Sequence, residues 1–155
     1  MKAKFSPLQL LDFKLLESHF EFLAPESSDI DHKKLFFSYP VEIDFDINST
    51  EDNKEIQLIT RIKVNADEAY KLRGYKILVE GGGTFSINES EKMDEGLRAN
   101  LLKFSPLNMM INNLRNIMYQ ITNLGPLGGY LLPPIDISKL LQDKIEEQEG
   151  NLDKP

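Results

Sequence analysis

The chain has 155 residues, and 18 Lys and Arg against 25 Asp and Glu leave a net charge of −7. That length suits one domain, and 41% hydrophobic residues are enough for a packed core, which excludes full disorder. The absence of cysteine excludes disulfides, thiolate zinc sites and thiol nucleophiles. An acidic balance without a basic cluster excludes the electrostatic attraction on which nucleic-acid binding depends.

The opening stretch Met1–Pro7 begins basic but has no apolar run behind it. No segment nears the ~18 unbroken apolar residues of a membrane span, so a cytoplasmic location without membrane insertion is expected. From Leu8 to Leu23, alternation at Leu11, Phe13 and Leu15 and again at Phe20 and Phe22 predicts one strand with a slip between the two sets. Val41, Ile43, Phe45 and Ile47 alternate with Glu42, Asp44 and Asp46, a strand with one buried and one wet face. Ile56, Leu58, Ile62 and Val64 repeat that pattern after the polar stretch 48–54, which predicts a hairpin. Tyr75, Ile77 and Val79 begin a further strand that resumes at Phe85 and Ile87. The three glycines at 81–83 within it predict a bulge or a close backbone approach.

Beyond Asn88 the period changes. Ser105-Pro106 reads as a helix start, serine as cap and proline at the first helical position. Leu107, Met110, Ile111, Leu114, Ile117, Met118 and Ile121 then form one stripe of an amphipathic helix, which Gly125-Pro126 ends. Met110, Leu114 and Met118 are candidates for core or for an oligomer contact along that helix. The loop 124–134 is rich in Gly and Pro yet apolar, and Ile137, Leu140, Leu141 and Ile145 mark a short closing helix. Residues 1–145 thus read as a single domain and 146–155 as a polar, flexible tail. Strands first and helices after predict an α+β fold, an antiparallel sheet with a helix laid on one face.

Motifs for chemistry are missing. His19 and His32 lack the ligand spacing of a metal site, and the sequence holds neither a nucleophile elbow nor a phosphate-binding glycine loop. Asp44, Asp46, Asn48, Asp52 and Glu55 mimic part of a calcium loop, but Ser49 replaces its turn glycine and strands replace its flanking helices. Glu89, Glu91, Asp94 and Glu95 are better read as acids at the positive start of a helix than as a catalytic pair. No enzyme, no metal and no cofactor is expected.

What stands out is apolar surplus: Phe20, Phe22, Phe36, Phe37 and Tyr39, then Tyr130, Leu131 and Leu132, then Leu140 and Leu141. A domain of this size can bury them all. Exposed together, they would mark an interface or a groove, and an apolar loop is unusual because loops normally run in solvent.

Val79-Glu80-Gly81-Gly82-Gly83-Thr84-Phe85-Ser86-Ile87 resembles the Val-x-x-Gly-Gly-x-Phe-Ser-Ile string of the SecB-type protein-export chaperones. Leu132-Pro133-Pro134-Ile135-Asp136-Ile137 resembles that family's Leu-x-Pro-Val-Asn-Phe, and Phe22 with Ala24-Pro25 its Phe-x-Ala-Pro. Val41 to Asp46 is similar to the family's second strand, so the resemblance spans about residues 8 to 145. It implies a four-stranded antiparallel sheet with a long helix packed on one face and a short C-terminal helix, assembled as a homotetramer, a dimer of dimers. It also implies an ATP-independent holdase that binds unfolded or precursor polypeptides in apolar grooves, keeps preproteins export-competent and passes them to the motor SecA. The groove positions carried over are Phe22, Phe37, Tyr130, Leu131, Leu132, Ile137 and Leu141.

The family docks its motor through acids on the outer sheet face. Here Leu78 and Lys76 stand at the corresponding third-strand positions, and Ser18 or His19 and Leu23 in the first strand. Glu80 and Glu21, with Glu42 and Asp44, are the acids available for a partner-facing surface. The resemblance therefore carries client holding further than delivery to SecA. It leaves open a dedicated chaperone of a single client, such as an antitoxin, and an oligomeric adaptor.

Overall fold

The computed structural model describes residues 1–50, 55–67, 72–88 and 94–152. Seven elements follow in order: β1 (Leu8–Leu23), α1 (His32–Ser38), β2 (Val41–Ser49), β3 (Glu55–Val64), β4 (Gly74–Ile87), α2 (Glu95–Thr122) and α3 (Ile137–Leu152). The strands form one antiparallel sheet in the order β1-β4-β3-β2. Of the acids read against a calcium loop or a catalytic pair, Asp52, Glu89 and Glu91 lie outside the described residues.

The alternation read from the sequence sets which side of the sheet is dry. Tyr75, Ile77, Val79 and Phe85 of β4 and Leu58, Ile62 and Val64 of β3 are all buried under α2. The helix lays Leu107, Met110, Ile111, Leu114 and Met118 onto them, each fully buried. Burial of one such side chain stabilises by about 1.5–3 kcal/mol, so this one stripe fixes the helix to the sheet.

The three glycines do not interrupt β4. They let the helix and a neighbouring strand come close: a Cβ on Gly81 would lie 2.9 Å from the Phe13 ring and 3.1 Å from Leu114. The irregularity falls on β1 instead, whose pairing shifts between Leu10 and Asp12 and again between Leu15 and Glu17. The expected slip is there, and a second accompanies it.

Two helix boundaries differ from expectation. Ser105-Pro106 is not the start of the long helix, which begins ten residues earlier at Glu95 and carries Pro106 in its interior. Leu101 and Phe104 extend the apolar stripe toward the N-terminus and pack on the core, while the Pro106 ring is itself buried. That packing offsets the backbone hydrogen bond that proline cannot donate. At the other end α3 runs on to Leu152 instead of closing near Ile145. Glu146, Glu147, Gln148 and Glu149 are good helix formers, and Gln142 hydrogen-bonds Glu146 one turn on.

Helix α1 went unread because seven residues are too few for a period to show. Its signal is a cap: the Asp31 carboxylate accepts from the backbone N–H groups of Lys33 and Lys34 at 3.1 and 3.3 Å. Between β3 and β4, buried Asn65 takes a left-handed backbone at φ 52°. Its amide side chain bonds both Leu72 backbone groups and the Tyr75 carbonyl.

Candidate functional site

Aromatic side chains from four segments converge where β1 ends and β4 begins. Phe22 pairs opposite Tyr75 in the sheet. The Tyr75 ring meets Phe20 edge-on at 4.9 Å and stacks on Phe36 at 5.5 Å. Phe36 in turn meets Tyr130 edge-on at 5.4 Å. Such offset and edge contacts stabilise by about 0.5–1.5 kcal/mol each beyond plain burial.

Tyr39 braces this cluster through its hydroxyl, which donates to the Arg73 carbonyl at 3.2 Å and accepts from the Tyr75 N–H at 2.9 Å. Gly74 makes that possible. Its φ is +113°, and a Cβ there would stand 2.0 Å from the Tyr39 oxygen, so no other residue fits. Burial pushes the Tyr39, Tyr75 and Tyr130 phenols above their ordinary range.

The apolar loop between α2 and α3 is fastened over this cluster by named hydrogen bonds. The Leu127 N–H donates to the Tyr75 hydroxyl at 2.8 Å, and the Tyr130 N–H to the Thr122 hydroxyl at 2.7 Å. Arg115 donates from Nε to the Leu132 carbonyl at 3.0 Å and from Nη2 to the Pro133 carbonyl at 3.1 Å. Arg115 was legible in principle: it is the lone charge between Lys103 and Asn123, and a guanidinium on an otherwise uncharged helix needs acceptors.

The seven groove positions divide into three groups. Tyr130, Leu132 and Leu141 are buried in the chain's own core, with Tyr130 at 0% exposure. Phe22 and Ile137 are half-buried. Phe37 is 77% and Leu131 61% exposed. Each is next in sequence to one of two touching rings, Phe37 to Phe36 and Leu131 to Tyr130. Leu141 lies elsewhere, sharing a cleft with Phe45 and Ile47 of β2. Phe36, Tyr39 and Tyr75 join the site although they were not among its predicted members; the first two belonged to the apolar surplus.

Met110, Leu114 and Met118 face the chain's own sheet and are fully buried there, which leaves none of them for contact with another chain. The opposite face of α2 carries exposed Asn108, Asn112 and Asn116.

The four acids expected to face a partner share the sheet face turned away from α2, and three are answered by cations. Glu80 bonds Arg61 at 2.5 Å, Glu42 lies 3.8 Å from Lys63, and Asp44 bonds Lys144 at 2.6 Å. The fourth, Glu21, is 4.0 Å from the His19 ring nitrogen. The face is thus a mesh of mixed sign. The Lys144 hydrogen bond holds the Asp44 carboxyl below the usual range. Among the described residues, no group of three or more acids and histidines is arranged to hold a metal ion, and no helix is long and apolar enough to cross a membrane.

This sheet, with one long helix on it and a second at the C-terminus, is a SecB-like fold. No family profile and no curated relative matches the sequence. Among solved structures, the chain is similar to the SecB-like chaperone Rv1957 of Mycobacterium tuberculosis, in complex with a ChAD peptide from the Rv1956 HigA1 antitoxin. That likeness covers 83% of this chain and 91% of the other at 15% identity, with a TM-score of 0.51. A protein of unknown function from Streptococcus agalactiae is also similar over 82% of this chain and 97% of its own, at 14% identity and a TM-score of 0.41.

Proposed function

We propose that the protein is an ATP-independent holdase that binds non-native polypeptides at the apolar surface around Phe37 and Leu131. The observation that carries this reading is the exposure of those two large apolar side chains, each next in sequence to one of the touching rings of Phe36 and Tyr130. A large aromatic held out in water adds nothing to the core, and exposed apolar side chains of this kind mark interaction surfaces. Non-native chains offer apolar groups at many registers, so area matters more than exact polar contacts. Assembly as a dimer of dimers would multiply weak sites into avidity. Among the described residues, the outer edge of β1, with Leu11 and Leu15 exposed, and the amide face of α2 are two surfaces that such an assembly could use.

A dedicated client is favoured over general export on two grounds. The SecB-like neighbour is bound to an antitoxin peptide. Here the outer-face acids are largely paired with cations instead of standing free for a motor such as SecA.

The test is suppression of aggregation of a denatured, slow-folding client without nucleotide, at about one oligomer per chain. Phe37→Ser with Leu131→Ser is expected to abolish suppression while thermal stability stays within about 0.5 kcal/mol, since both side chains lie in solvent. A doubly substituted chain that protects the client as well as the parent would sink the reading. A folded parent that protects no client at all would point to an adaptor.

A further inference from the structure

Helix α1 divides its side chains between two surfaces. Leu35 and Phe36 turn inward, where Phe36 stacks on Tyr75 and meets Tyr130 edge-on. Phe37 points out at 77% exposure, and Lys33 and Lys34 are exposed with it. The lysines stand four and three residues before Phe37, so all three share one helix face, with neighbouring Cβ atoms about 5–6 Å apart. Two cations therefore border the exposed ring. Among the described residues neither forms an ion pair, whereas Arg61, Lys63, Lys139 and Lys144 are each held by an acid. Of the acids before the helix, Asp31 caps it by accepting the Lys33 and Lys34 backbone N–H groups, and Glu26 pairs with Arg73. Asp29 pairs with neither lysine.

A net charge of −7 favours basic segments at long range. At physiological ionic strength, however, charges are screened beyond about 8 Å, so a segment seated on Phe37 feels its two lysines more than the rest of the chain. We infer that the Phe37 face selects acidic–apolar segments of non-native chains, a Phe or Leu flanked by Asp or Glu, with Lys33 and Lys34 answering the carboxylates. This selectivity rests on the holdase reading and narrows it. Exposed apolar groups alone accept any apolar segment, and the two lysines add a sign to the choice.

The probes are three unstructured, fluorescently labelled peptides that share the same phenylalanines and leucines and differ in the aspartate, glutamine or lysine between them. With the full-length protein at about 0.15 M salt, anisotropy is expected to show the aspartate peptide binding about three- to tenfold more tightly than the lysine peptide, the scale of two exposed ion pairs. Lys33→Gln with Lys34→Gln should bring the aspartate peptide to the affinity of the glutamine peptide, and about 1 M salt should do the same to the parent. Lys33→Arg with Lys34→Arg should keep the preference, as should Lys139→Gln, whose partner Asp143 lies within α3 itself. Phe37→Ser should weaken all three peptides. The selectivity is overturned if the preference survives Lys33→Gln with Lys34→Gln, or if Lys139→Gln removes it equally. Three peptides that bind equally well would also overturn it and leave the apolar surface standing. No binding by any of them, or binding indifferent to Phe37→Ser, would end both readings.

Discussion

The backbone N–H of Tyr75 donates to the phenolic oxygen of Tyr39 at 2.9 Å, joining residues 36 positions apart in sequence. That bond ties the start of β4 to the segment leading into β2, and the same oxygen reaches the Arg73 carbonyl. The Tyr39 and Tyr75 rings that this bond holds both belong to the aromatic cluster with Phe36 and Tyr130. Tyr39→Phe keeps the ring and removes the oxygen, leaving a buried N–H without its acceptor. A loss of about 1–3 kcal/mol is expected, read in urea unfolding as a lower midpoint at unchanged slope. An unaltered midpoint would mean the bond contributes nothing net.

Arg115 acts through its fork. Its Nε and Nη2 reach two successive carbonyls, Leu132 and Pro133, which an ammonium cannot match. Arg115→Lys should therefore loosen the loop that presents Leu131 while sparing the sheet. Hydrogen exchange is expected to rise several-fold at Tyr130 and Leu131 and to stay constant at Ile77 and Val79.

The Tyr130 hydroxyl is buried without a hydrogen-bond partner among the described residues. Removing an unsatisfied buried group costs little, so Tyr130→Phe should leave stability unchanged or raise it by up to about 1 kcal/mol. Tyr130→Ser, which empties a fully buried site, should cost about 3–5 kcal/mol. A strongly destabilised Tyr130→Phe would reveal a polar role for that oxygen. The serine variant reports on folding and is no probe of binding.

Burial raises the phenol pKa values of Tyr39, Tyr75 and Tyr130. Below about pH 10 both folded and unfolded chains hold these protons, and their contribution to stability is flat. Above it, the unfolded chain releases protons that the folded chain keeps, so stability falls as pH rises. Thermal melting should drop steeply on the alkaline side of about pH 10, and less steeply in Tyr130→Phe. A melting temperature with no alkaline decline in either chain would contradict the cause.

All four strands were legible because alternation is a local signal: Val41 to Ile47 shows its dry and wet faces in seven residues. The long helix was legible from Leu107 onward for the same reason. Its true start was not, since Ser105-Pro106 carries a strong local stop-and-start signal that the packing of Leu101 and Phe104 overrides. The site was legible only as a set of apolar residues. Nothing in Tyr130-Leu131-Leu132 tells which side chain turns inward; Thr122, Tyr75 and Arg115 decide that from distant positions.

The sequence by itself determined the α+β class, the antiparallel strands, the helix stripe and an unusual store of aromatic and apolar side chains. Each of these is written in spacing that neighbours in the chain enforce. Only the tertiary structure decided which of those side chains are core and which are surface. Tyr130 and Leu132 went in, Leu131 and Phe37 stayed out, and Met110, Leu114 and Met118 closed on their own sheet. It alone also decided that the acids of the outer face meet Arg61, Lys63 and Lys144. Exposure and ion pairing depend on segments tens of residues apart being folded against one another, and no local period encodes that meeting.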